Sequence, residues 1–378
     1  MKHLALALAL TFVAAPVSAQ LGGLSGVLEK ADKVKRLSDV RITDQEERAI
    51  GEEVSARIVD EFGVFQDAAV ARYVSLVGGV LAQVSARPGL AWEFIVLDTD
   101  GVNAFAAPGG LVHVTRGLLG LMENEAELAG VLAHEIVHVT EKHTVNSIQK
   151  GGLVQFGTDE VSASGGLTQS LASKIAQAAY DNVLNNRFDR GDEGEADEIG
   201  VQLANKVGYA PNGLSSALAK LAERNAGRQE PSGLFASHPL IKDRVSRIAR
   251  TINGRALAAK ATVEARYAAA ITFDARPISE VALVADGSRG LAGGDTQKKD
   301  AGTTKAGDSK PEEKKSGGGL LRGFRVTGGK QAQNEQTVAS AGARGVNPDR
   351  DAVGGTDKNK VRVTISPADL AEFRKGIA

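Results

Sequence analysis

The 378-residue chain contains no cysteine. That excludes a disulfide framework, a thiolate metal site and a cysteine nucleophile, and leaves no residue to accept a lipid anchor. A core of this size does not need cross-links. Charge of one sign is also missing: 45 basic residues face 46 acidic ones, for a formal net charge of −1. Such a balance gives no reason to expect nucleic-acid binding. Beyond the N-terminus no stretch stays apolar for eighteen residues, so no transmembrane anchor is expected in the mature chain. No helical-repeat period is visible either.

The N-terminus reads differently. Lys2 precedes an apolar run from Leu4 to about Ala15, and Val17, Ser18 and Ala19 offer a small-residue cleavage site. Residues 1–19 are therefore expected to be a secretory signal peptide, with Gln20 opening the mature protein. His3 falls inside it. Export without a lipid-accepting cysteine points to the periplasm.

The strongest motif is His134-Glu135-Ile136-Val137-His138. Asn124 and Glu127 have capping-box spacing, and Glu123, Glu125 and Glu127 suit the positive end of a helix dipole. Leu128, Val131, Leu132 and Val139 follow at helical intervals. Residues 124–142 thus read as one buried helix. Imidazoles four residues apart lie one turn from each other and can face one point. Glu135 is then placed to act as a base on water rather than to bind a metal.

A catalytic zinc usually keeps three protein ligands. A third histidine in the metzincin pattern would fall at position 144, with glycine at 141; the chain has Glu141 and Thr144. The alternative is a carboxylate from another helix, and Glu193 in Glu193-Gly194-Glu195-Ala196-Asp197 fits it. Asp197, four residues on, shares that helical face and can accept the outer N–H of a ligand histidine. An isolated acidic run would more often be a solvated helix face; beside an HExxH lacking its third ligand it is not read so. His113, in an alternating strand-like stretch, is read as structural. His143 is expected to be a helix-end residue pointing away from the metal pair.

These residues, with Val102-Asn103-Ala104-Phe105-Ala106-Ala107-Pro108-Gly109-Gly110, Arg190, Ser237-His238-Pro239 and Arg244, occur in an order and spacing that resemble a known family over residues 43–255. It is the zinc metallopeptidase family that includes the CAAX prenyl protease and HtpX, and within it the soluble periplasmic branch typified by the β-barrel assembly-enhancing protease. One departure is Asp189, where the family pattern has serine. The resemblance implies a gluzincin-type peptidase with Zn2+ on His134, His138 and Glu193, and Glu135 as general base. It also implies that His238 stabilises the oxyanion or occupies the open coordination site in a resting state, and that Arg244 positions His238 or the substrate carbonyl. Misfolded or unassembled envelope and outer-membrane proteins are the implied substrates, with the outer-membrane assembly machinery as a possible partner.

Two other classes compete. A periplasmic chaperone-like binding protein would use the same cleft with little proteolysis, and a structural zinc site would be closed by His238. An intact general base argues against both.

The expected fold is α+β and mainly helical, with a small β-sheet beside the active-site helix. Thr43 with Glu46 caps a helix carrying Ile50, Val54, Ile58 and Phe62 up to Gly63, and a second runs from Asp67. Residues 92–97 and 111–115 read as strands, joined by residues 103–110. Asn103, Ala104 and Phe105 are expected to lie along the cleft and pair with an extended peptide. A Gly/Ser-rich loop is expected at 151–167, then helices at 168–186, 190–207, 212–225 and about 241–270. The peptidase domain is placed at 20–285. Residues 286–319 lack aromatics, Val and Ile and read as a flexible linker. Residues 320–378 are expected to form a small C-terminal module, with a strand at 360–365 and a helix opened by Ser366-Pro367.

Overall fold

The computed structural model describes residues 42–151, 169–185, 188–226, 241–283 and 351–377. The expected signal peptide, the Gly/Ser-rich loop, the linker and residues 320–350 fall outside these. Among the described residues the fold is mainly helical with one three-stranded sheet.

Helix α1 (Asp44–Phe62) begins as expected, with both halves of the Thr43–Glu46 capping box formed, and stops at Gly63, where φ is 69°. Helix α2 (Ala68–Ala82) is capped by Asp67, whose carboxylate accepts from the backbone of Ala69 and Val70. Strands β1 (Glu93–Leu97), β2 (Ala104–Ala107) and β3 (Leu111–Thr115) follow. β3 lies in the centre, parallel to β1 and antiparallel to β2.

Strand β2 forms within residues 103–110, the segment that joins the two strands read from the sequence. Its sequence, Ala-Phe-Ala-Ala, is poor in β-branched residues, so local propensity gives little sign of it. Tertiary context forms it: the Pro108-Gly109-Gly110 turn folds β2 back on β3, with φ of 74° and 97° at the two glycines. A Cβ on Gly109 would lie 2.6 Å from the Cα of Arg48.

Side-chain alternation along the strands divides the core in two. Phe94, Val96, Ala104, Val112 and Val114 face one cluster, built largely with α2 and the helix that carries His134. Ile95, Leu97, Phe105, Ala107 and Leu111 face the other, built with α1 and a later helix. Both faces are covered, so β2 and β3 are buried throughout. His113 lies inside, its Nε2 2.9 Å from Ser55 Oγ. Burial, helped by the charge of Lys360, lowers its pKa to about 3. It is neutral and structural, as read from the sequence.

The chain continues through α3 (Arg116–Leu121), α4 (Glu125–Thr140), α5 (His143–Gly151), α6 (Gln169–Asn185), α7 (Arg190–Val207), α8 (Gly213–Arg224), α9 (Ile241–Gly254) and α10 (Glu264–Ala270). The single helix expected at 241–270 is two helices. Residues 255–263 break it, with positive φ at Ala256 and Val263 and a bridge from Ala261 to Tyr209.

Residues 351–377 pack on the core formed by the preceding elements. Ala352 bridges Leu283, Gly354 bridges Thr99, and the backbone N–H of Val64 donates to Asp357 O at 2.7 Å. Residues 360–365 are in no strand. Helix α11 (Pro367–Lys375) has its capping box between Ser366 and Asp369, and Asp369 pairs with Arg72 at 2.7 Å. Phe373 sits 3.9 Å from the Arg266 guanidinium, and Ile377 is buried. Arg266 in turn donates to Glu125 at the start of α4 at 2.7 Å, which also accepts from Tyr73 at 2.7 Å and Tyr209 at 2.6 Å. Burial, then the neighbouring Glu125 charge, pushes both phenols upward, so they remain donors.

Leu283 and Ala352 meet as a bridge, so the described residues flanking 284–350 are adjacent. Replacing residues 284–350 by a short Gly/Ser connector should leave the thermal midpoint within a few degrees. Ending the chain at Leu283 should lower it by roughly 10 °C, since the apolar groups of α11 and Ile377 lose their burial. Calorimetry on the two variants checks this; equal midpoints would show that the tail adds nothing to the core.

Candidate metal centre

Helix α4 is buried along its whole length. Asn124 caps it, accepting from Glu127 N at 3.0 Å, while the Glu127 carboxylate reaches Glu123 N at 2.8 Å instead of closing the box. At the far end Arg87 donates to Val139 O at 3.1 Å and pairs with Glu47 at 2.9 Å. Buried Glu47 also accepts from Gly109 N at 3.1 Å and from Lys142 at 3.0 Å. One carboxylate therefore ties α1, the β2–β3 turn and the end of α4 together. Neither Glu47 nor Arg87 carries a sequence signal.

Helix α7 crosses α4 closely. A Cβ at Gly200 would come within 3.1 Å of His134 N, so a larger residue there would push the two helices apart. Asp189 caps α7, accepting from Gly191 at 2.7 Å and Asp192 at 2.8 Å, and thus takes the part of the serine expected there.

This crossing brings His134, His138 and Glu193 together, with one donor atom from each inside a mutual distance of 4.8 Å. The two Nε2 atoms are 3.1 Å apart. Glu193 lies 3.4 Å from His138 Nε2 and 3.7 Å from His134 Nε2. Donors about 2.0–2.1 Å from a tetrahedral zinc are about 3.4 Å from one another. The three residues therefore fit a zinc-sized ion, and all are buried.

The other nitrogen of His134 is occupied. Its Nδ1 lies 3.2 Å from Asp197 Oδ1, which leaves the Nε2 lone pair for a ligand role. Asp197 accepts in turn from Arg244 Nη2 at 2.6 Å and Nε at 3.0 Å. Burial by itself would raise the Asp197 pKa, but the Arg244 charge and the His134 hydrogen bond hold it at about 2. Burial likewise works against the charge of Arg244, and Asp197 and then Glu193 outweigh it, so its pKa is raised. Arg244 Nη1 is 3.4 Å from Glu193. Glu135 is buried on the same helix as the two histidines, and its charge also reaches Arg244.

The structure thus joins His134, Glu135, His138, Glu193, Asp197 and Arg244. His238 lies outside the described residues. Asn103, Ala104 and Phe105 are placed elsewhere in detail: Asn103 N is held by Thr115 Oγ1 at 2.9 Å, Ala104 is buried, and Phe105 stacks on Phe62 at 5.7 Å. The side chains of Ala104 and Phe105 build the core, and Asn103 Oδ1 accepts from Ala104 N at 3.0 Å. Ala106, Ala107 and Pro108, further along β2, share a small recess with His138.

Two neighbours of His138 escape a reading of the sequence. Phe188 stacks on its ring at 4.2 Å. His143, contrary to expectation, does not point away. Lys142, in the left-handed region at φ 58°, turns the chain so that α5 starts with His143 buried against His138, the two Nδ1 atoms 2.9 Å apart.

A metal triad shared between an HExxH helix and a carboxylate on a second helix is the arrangement of a metallopeptidase. Residues 68–252 match the model of Peptidase family M48, from the first residue of α2 into α9, and this region is an M48 peptidase domain. It is 26% identical over 246 residues to the β-barrel assembly-enhancing protease of Yersinia pestis, covering 61% of this chain and 49% of the relative. The Escherichia coli K12 protein of the same name is 27% identical over 232 residues, 57% of this chain and 47% of its own. Metalloprotease LoiP of Escherichia coli K12 is 34% identical over 152 residues, 39% of this chain and 57% of its own. The chain spans about half the length of the first two relatives.

Replacing Arg244 by leucine should destabilise the chelator-treated protein by about 3–5 kcal/mol, because Asp197 is left buried without its countercharge. Adding Asp197→Leu should recover part of that loss. Denaturant unfolding measures both; a single-variant cost under ~1 kcal/mol would contradict the pairing.

Proposed function

We propose that the chain is a zinc-dependent endopeptidase of the cell envelope. The observation that carries this is the convergence of His134, His138 and Glu193 within 4.8 Å, on helices that also bury Glu135. Zinc held by these three would supply a Lewis acid for the scissile carbonyl and would acidify a coordinated water. Glu135 accepts the proton as water attacks the peptide carbonyl and delivers it to the leaving amine. Asp197 fixes the His134 tautomer, and Arg244 holds Asp197 and Glu193 in register. Arg244 is therefore a positioning residue in this reading.

Strand β2 is one of the two edge strands of the sheet, buried in this structure, and borders His138 through Ala106, Ala107 and Pro108. We take it as the element that receives an extended peptide by backbone pairing, since the side chains of Asn103, Ala104 and Phe105 are committed to the fold. His238, beyond the described residues, keeps from the family resemblance its role as oxyanion stabiliser or resting-state ligand.

The substrates in this reading are misfolded or unassembled envelope and outer-membrane proteins, met in the periplasm alongside the outer-membrane assembly machinery. Support comes from the signal-peptide pattern of residues 1–19 and from the names of the two β-barrel assembly-enhancing relatives. Among the described residues no helix is long and apolar enough to cross a membrane.

The test is casein degradation with parallel zinc analysis. Glu135→Gln should keep its zinc and lose about 10²–10⁴-fold in turnover. His134→Ala should lose both, and a chelator should abolish wild-type activity until zinc returns. Undiminished turnover by the Glu135→Gln protein would reject Glu135 as the base.

A further inference from the structure

We propose that His143 is a positioning residue for the metal centre, holding His138 in the tautomer and orientation that a ligand needs. This rests on the metal reading above and extends it to a residue outside the HExxH and Glu193 motifs.

The placement of protons supports it. His138 turns Nε2 toward His134 Nε2 at 3.1 Å and Glu193 at 3.4 Å, so its lone pair belongs at Nε2 and its proton at Nδ1. That Nδ1 lies 2.9 Å from His143 Nδ1. Two ring nitrogens at this distance share one proton, so His138 donates and His143 accepts. With Nδ1 as acceptor, the ring proton of His143 sits on Nε2, which faces Glu195 Oε2 at 3.2 Å and Asp192 Oδ1 at 4.0 Å. One direction of donation, from His138 to His143 to Glu195, satisfies every step.

The geometry excludes a direct ligand role for His143, which meets the edge of His138 opposite to the metal-facing nitrogen. Its ring stands at 75° to that of His138, with centroids 4.8 Å apart, while Phe188 covers a face. Edge and face are thus both held. The pair mirrors the other half of the site, where Asp197 receives Nδ1 of His134. All three acids of the Glu193-Gly194-Glu195-Ala196-Asp197 run then have a role. Glu193 faces the metal, Asp197 orients His134, and Glu195 orients His138 through His143. Because the Glu195 side chain is 51% exposed, most of the effect resides in His143 itself.

The experiment is a competition titration of zinc, and of Co2+ with its visible spectrum, on the full chain and on His143→Leu and His143→Asn. Leucine fills the space without an acceptor, whereas the asparagine carbonyl falls where Nδ1 was. His143→Leu should bind either metal about 10- to 100-fold more weakly and shift the cobalt bands, with the metal-free melting point little changed. His143→Asn should recover most of both. Wild-type affinity in His143→Leu would overturn the proposal, as would equal weakening in both variants together with a lowered metal-free melting point. A wild-type protein that takes up neither ion would instead sink the metal centre, and this assignment with it.

Discussion

The structure is organised around buried charge. Glu135, Glu193 and Asp197 lie within the contact between α4 and α7, with Arg244 as their fully buried cationic partner and Arg247 3.8 Å from Asp197 at the margin. Taking such groups out of water costs several kcal/mol each unless partners compensate. Three acids meet one fully buried guanidinium there, and a divalent cation between Glu193 and the two imidazoles would add compensating positive charge. The proposed ion would account for acids converging from two helices, and Arg244 pairs with Asp197 and Glu193 across that contact.

Holding that arrangement requires the surrounding fold to be stiff. The ends of α4 are both tied. At its start Glu125 collects Tyr73, Tyr209 and Arg266, which connects the active-site helix to the C-terminal residues through Phe373. At its end Arg87 and Glu47 connect it to the sheet and α1. Gly200 sets the distance to α7. Each of the two histidines is contacted from outside, His134 by Asp197 and His138 by His143 and Phe188. Such contacts are what separate three residues that can meet a metal from three that are already placed for it.

Much of this is legible in the chain. The cap at Asn124, the 3.6-residue apolar period and the missing third histidine together point to α4 and to Glu193, because caps and periodicity are local physics. The sheet is less legible. β2 is alanine-rich and exists because β3 and the glycine turn pair with it, and the parallel pairing of β1 with β3 has no local signature. The break in 241–270 depends on a bridge to Tyr209, about fifty residues away. His143 is hard to place because the helical pattern runs on past Lys142; a single left-handed residue redirects the chain, and nothing in the identity of a lysine announces it. The pattern at 360–365 alternates like a strand, yet the C-terminal residues are pinned by scattered bridges across the core.

In the proposed metal centre, two imidazoles and one carboxylate from a second helix grip the same ion. X-ray absorption on the zinc-loaded full chain tests this most directly, with Glu193→Gln as the comparison. The expected wild-type shell contains two histidine nitrogens and carboxylate oxygen, and the variant should show a changed shell or lost metal. An identical coordination shell in both proteins would contradict it.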